Sequence, residues 1–211
     1  MLETLLQGVL LGGLYTLFAL GQSLMFGVMR LTNTAQGDFI ILGAFAVIAA
    51  QGALGGPAWL ATLAVLPLAF AGGYALQRYV LNGTLGKDPL PSLVVTFGLS
   101  IVIQNLLLEL FSADPRAIEV GALATASVPL GDTLALGALP LVILAVAVAA
   151  TGAMQWMFTR TPLGRTFRAV SDDREIAELM GLKAKQVYAL ATGIAFVLIA
   201  IAGALQGMRT T

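Results

Sequence analysis

Charged positions interrupt an otherwise apolar chain at wide intervals. No Asp, Glu, Lys or Arg occurs between Glu3 and Arg30, Asp38 and Arg78, Asp88 and Glu109, Asp132 and Arg160, or Lys185 and Arg209. A helix needs roughly 20 apolar residues to cross about 30 Å of hydrocarbon. Four of the gaps fit one crossing each. The fifth, Asp38–Arg78, is long enough for two, and Gln51–Pro57 supplies Gly and Pro for a turn between them. The pattern predicts six spans: Leu5–Val28, Phe39–Ala50, Trp59–Gln77, Leu90–Leu108, Leu134–Trp156 and Val187–Met208. The second is short, so a re-entrant hairpin competes with a crossing there. The first is not a cleaved leader, because no basic region precedes it and its apolar run is too long. The expected fold is an all-α, polytopic transmembrane bundle, with residues 1–211 as one membrane domain.

Composition agrees with this reading and narrows the chemistry. Hydrophobic residues make up 58% of the 211 and charged residues 10%, against roughly 25% charged in an average soluble domain. Eleven basic residues balance eleven acidic ones, so nothing favours nucleic acid as a partner. With no His and no Cys, thiolate or imidazole metal sites and His- or Cys-based catalysis are excluded. No catalytic residue, metal site or cofactor is expected.

The placement of Lys and Arg predicts orientation. The stretch 160–185 carries six basic residues (Arg160, Arg165, Arg168, Arg174, Lys183 and Lys185) and should face the cytoplasm. Arg78–Lys87 should lie on the same side. Between them, Glu109–Asp132 holds four acids and only Arg116, which suits the outside. Counting back puts Arg30–Asp38 inside and the N-terminus outside.

Two polar features stand out. In the fourth span Ser92, Thr96, Ser100 and Gln104 recur at four-residue spacing, with Asn105 beside the last. Residues so spaced share one helix face, which serves either as interhelical glue or as the lining of a solute path. The first span carries Tyr15, Thr16, Gln22 and Ser23, a smaller set of the same kind. The pairs Gly8/Gly12 and Gly203/Gly207 are expected as packing contacts. No ionisable residue is expected deep within a span, which counts against a proton-coupled carrier.

The second feature is the charged stretch itself. Thr161-Pro162 marks a helix start, and Ser171 or Asp172 an N-cap of a short helix ending near Met180, with Gly181 past its end. Asp172, Asp173, Glu175 and Glu178 would repel acidic head groups, so a protein partner suits this knob better than lipid. Gly83–Asp88 lacks the spacing of a phosphate loop. Any ATP hydrolysis must come from another subunit.

Three blocks of this chain resemble the membrane permeases of bacterial ATP-driven (ABC) importers for branched-chain amino acids, the LivH-like family. They are Gly13–Gly21 continuing through Phe26-Gly27 to Asn33-Thr-Ala-Gln36-Gly-Asp38, then Thr96–Asn105, then Thr161-Pro-Leu-Gly164-Arg165 through Ala169, Asp172, Asp173, Ala177 and Gly181 to Ala202-Gly203. The resemblance implies an inner-membrane permease subunit that works with a second related permease, cytoplasmic ABC ATPases and an extracytoplasmic binding protein. It makes Tyr15, Gln22, Asn33, Gln36, Thr96, Ser100, Gln104 and Asn105 candidates for the substrate path. Arg165, Asp172, Asp173, Glu175, Ala177 and Gly181 become candidates for coupling to the ATPase. Family members are expected to continue through further spans past the point matching Gly203. The competing function is a self-sufficient carrier or facilitator for small polar solutes; a membrane enzyme would lack catalytic groups.

Overall fold

The computed structural model describes residues 2–86, 90–112, 114, 116–121, 126–129 and 135–209. Lys87, Asp88, Asp132 and Leu134, which figured in the expected loops and in the start of span five, lie outside these. Among the described residues the helices are α1 (Leu2–Met29), α2 (Gln36–Leu54), α3 (Ala58–Tyr79), α4 (Leu90–Phe111), α5 (Ala138–Arg160), α6 (Pro162–Asp172), α7 (Arg174–Leu179) and α8 (Ala184–Arg209). Six of these, α1 to α5 and α8, are long and apolar enough to cross a membrane. One addition to the expected all-α fold is a small antiparallel ribbon, β1 (Ser127–Pro129) with β2 (Ala135–Gly137), between α4 and α5.

The spans end where the local chemistry requires. α2 closes on Gly55, whose left-handed backbone (φ 62°) lets its N–H reach Gln51 O. Pro57 then caps α3, where a missing N–H costs nothing. α2 is 19 residues long, so the short Phe39–Ala50 expectation is extended at both ends.

α8 is the axis of the bundle. In its most apolar stretch 78% of residues are buried, against 17–39% in the other five spans. It packs mainly against α3, α1 and α2. Between membrane helices, association depends on close van der Waals packing rather than on expulsion of water, and small residues make this possible. A Cβ on Gly203 would clash with Ile40 O and lie 2.9 Å from Ala44 N, so α2 and α8 touch backbone to backbone there. Gly207 meets Ile118, as expected of that glycine pair, but a Cβ on Gly8 or Gly12 would meet no neighbour among the described residues. Large apolar side chains such as Leu68, Val94, Phe97, Val102 and Val148 point outward, which suits a lipid surface or a protein neighbour.

One end of the bundle carries α6 and α7. At the opposite end the connection after α4 folds onto α8: Ile118 N donates to Gly207 O at 3.1 Å, and Gln51 Nε2 donates to Glu119 O at 2.9 Å.

Candidate functional site

The link between α1 and α2 is the most informative segment. α1 ends at the α6–α7 end, where Ser171 Oγ donates to Gly27 O at 2.6 Å. Arg30 turns the chain with a positive φ of 54°, and the backbone then climbs without helical structure until α2 begins at Gln36. Several contacts fix how far it has climbed. Gln36 Nε2 donates to Phe18 O, well inside α1. The Phe39 ring lies 4.6 Å from Phe196, halfway along α8. Ser100, halfway along α4, donates to Asp38 Oδ2 at 2.5 Å. The start of α2, and the Asp38 carboxylate with it, therefore sit at mid-depth of the bundle.

This placement corrects two sequence expectations. Asp38 does not end a loop at the membrane surface, and an ionisable residue does lie deep among the spans. The physical reason is rise per residue. A non-helical stretch rises more per residue than the roughly 1.5 Å of a helix; residues 31–33 run without helical structure before the Asn33–Gln36 turn, closed by Gln36 N on Asn33 O, opens α2. Charge spacing along a sequence measures length, not depth.

The polar stripe of α4 proves to be the surface on which this segment is seated. Ser92 Oγ is 3.0 Å from Thr84 Oγ1. Thr96 Oγ1 accepts from Thr34 N at 3.3 Å and lies 2.9 Å from Thr34 Oγ1. Gln104 Nε2 donates to Asp38 Oδ1 at 2.9 Å and to Ser100 Oγ at 3.1 Å. Ser92, Thr96 and Ser100 are buried, while Gln104 and Asn105 are exposed. Asn105 Nδ2 bonds its own helix at Ile101 O. The stripe thus satisfies irregular backbone at membrane depth, which is tolerated only inside protein or beside a water-filled cavity.

The remaining path candidates divide. Asn33 is buried; its Oδ1 accepts from Ala35 N at 3.1 Å, and its Nδ2 is buried without a partner. Gln36 Oε1 and Gln22 Oε1 are also buried without partners. Tyr15 stands apart, exposed, with its ring edge-on to Phe18. Asp38 was the residue missed. Its signal was the stripe itself, since four polar side chains on one helix face require partners at the same depth.

The α6–α7 knob is built on firm local chemistry. Thr161 caps α6 through its Oγ1, which accepts from Gly164 N at 3.2 Å, with Pro162 in the first turn. A Cβ on Gly164 would run into Phe158 and Met157 O, so only glycine fits the α5–α6 corner. Phe167, fully buried, anchors α6, and Arg168 reaches back to Phe158 O. The cap of α7 is Asp173, one or two residues later than expected: its Oδ1 accepts from Ile176 N at 2.9 Å, and Asp172 is the last residue of α6. Gly181 follows the helix with φ +87°. Ala177 packs inward. Arg165, Asp172, Asp173 and Glu175 are exposed, and so are Ile176, Leu179 (87%) and Met180 (80%). Apolar side chains this bare beside charged ones form a tip suited to a protein groove.

Six apolar spans, an irregular polar segment at their mid-depth and a rigid knob at one end define a multi-pass membrane protein of the solute-transport class. The chain belongs to the family described as branched-chain amino acid transport system / permease component, whose model matches residues 4–211. It is 24% identical to the high-affinity branched-chain amino acid transport system permease protein BraD of Pseudomonas aeruginosa, over 99% of this chain and 71% of that protein. It is 27% identical to the corresponding LivH proteins of Salmonella typhimurium and Escherichia coli, over 98% of this chain and 70% of each relative. No solved structure matches the chain. Members of this family are transport permeases, so the chain is a transport subunit and not an enzyme.

Proposed function

We infer that this chain is the membrane-spanning permease subunit of an ATP-driven importer for branched-chain or related amino acids. It resides in the bacterial inner membrane with its N-terminus outside and residues 160–185 in the cytoplasm. A second, related permease and two ABC ATPases complete the membrane assembly, and an extracytoplasmic binding protein delivers the solute. Residues 1–211 act as one permease domain. The candidate path runs past Asn33, Gln36, Ser100 and Gln104, with Gln22 close by in sequence to the Phe18 turn that Gln36 grips. Thr96 holds the segment in place, while Tyr15 and Asn105 lie at the periphery.

The observation that carries this reading is the knob. Phe167 and Ala177 tie α6 and α7 to the bundle, so a push on the exposed tip of Ile176, Leu179 and Met180 moves the spans behind it. Arg165, Asp172, Asp173 and Glu175 surround the tip with charges that fix orientation in an ATPase groove, and Gly181 allows the tight exit into α8. Leu179→Glu should abolish co-purification of the ATPase encoded with this permease while leaving the chain in the membrane fraction. Retention of the ATPase at wild-type levels would refute the docking role.

A second reading draws on Asp38. Coupled carriers use carboxylates at membrane depth, so a self-sufficient carrier would show uptake by this chain alone in liposomes without ATP.

A further inference from the structure

Asp38 presents an unbalanced charge. Among the described residues no Lys or Arg pairs with it; the one ion pair there is Arg174–Glu178, in the α6–α7 knob. Its two donors are neutral, the Ser100 hydroxyl and the Gln104 amide. A carboxylate offers about four lone-pair sites, so acceptor capacity remains. The group is half-buried, and Gln104 beside it is exposed, so the cluster opens on one face of the chain at mid-depth. A charged side chain there is costly unless it pairs with another charge or faces a hydrated cavity.

We propose that Asp38, held by Ser100 and Gln104, is the point on the translocation path that receives the ammonium group of the amino acid. The inference rests on the permease reading above and adds the residue that recognises one end of the solute. The geometry favours this role in two ways. Both Asp38 oxygens are already oriented by hydrogen bonds, so little ordering remains when a cation arrives. The bond formed is charge-assisted, among the stronger polar contacts available. The same cluster sits where α2 begins in mid-bundle, and broken spans of this kind are where membrane transporters place solute sites.

The test uses the purified permease in its full assembly, with two readouts. In the first, thermal unfolding is followed with saturating L-leucine or with 4-methyl-2-oxopentanoate, which has the same carbon skeleton and carboxylate but no ammonium. Leucine should raise Tm in the wild type and not in Asp38→Asn, while the oxo acid raises it in neither. In the second, ATP-driven leucine uptake by Asp38→Asn should fall by about tenfold or more, the order expected for one lost charge-assisted hydrogen bond. Asp38→Glu should recover part of it, and ATPase co-purification should be unchanged. Equal protection of wild type and Asp38→Asn by leucine, equal protection by both compounds, or full uptake by Asp38→Asn would overturn the proposal. So would loss of the assembly in Asp38→Asn, since Asp38 would then be a contact to another subunit. If the wild type fails to import but shows ammonium-dependent protection that needs Asp38, the permease reading fails and the recognition site stands.

Discussion

Thr96 shows what a single side chain contributes in this protein. Its hydroxyl is fully buried and meets both the backbone N–H and the hydroxyl of Thr34. Thr96→Val keeps the shape and removes those partners, which should cost about 1–2 kcal/mol. In a chain of this size that lowers Tm by about 2–8 °C, measurable by thermal unfolding in detergent; an unchanged Tm would show that the segment is held by other means. The four-residue spacing of Ser92, Thr96, Ser100 and Gln104 was legible in the sequence, and so was its use as a polar surface. Its partner was not. Nothing in a charge count separates an Asp at a membrane surface from one that a non-helical stretch of chain has carried to mid-depth. Burial of the Asn33, Gln36 and Gln22 amide atoms likewise depends on neighbours distant in sequence.

At the scale of elements, the six spans were readable because an apolar run of sufficient length has few other stable fates. Their packing order was not, since lipid and protein interior are equally apolar and hydropathy does not distinguish them. That α8 is the axis follows from where its small residues meet neighbours, above all Gly203 against Ile40 and Ala44. Gly203→Ala should force α2 away from α8 and destabilise the chain by about 1–3 kcal/mol. Gly8→Ala and Gly12→Ala meet open space among the described residues and should change stability by less than about 0.5 kcal/mol. Yield and Tm of the three variants in detergent check both statements together. A tolerated Gly203→Ala would mean that α2 and α8 are less closely apposed than described. The caps of the knob were nearly legible: Thr161 and Pro162 fell where expected, while the cap of α7 fell on Asp173 rather than on Ser171 or Asp172, because α6 runs on to Asp172 before the chain breaks.

For the whole molecule, the proposed function assigns two tasks to separate places along one axis. The knob lies at one end of the bundle and the Asp38 cluster at mid-depth, and both are joined to α1, which bonds Ser171 through Gly27 O and Gln36 through Phe18 O. On the proposed function, a movement of the knob would reach the start of α2 through this helix. Leu179→Glu, beyond releasing the ATPase, should abolish uptake without altering leucine-dependent protection of the bundle, because the tip and the cluster are separate surfaces. Loss of both together would show that the two tasks are not separable. The most direct measurement is uptake of labelled leucine into proteoliposomes that hold this permease with its partner permease and ATPases, with the binding protein supplied on the side away from the nucleotide. Uptake should require ATP, the binding protein and an intact Leu179. Uptake by the chain alone, indifferent to ATP and to Leu179→Glu, would contradict the proposed function.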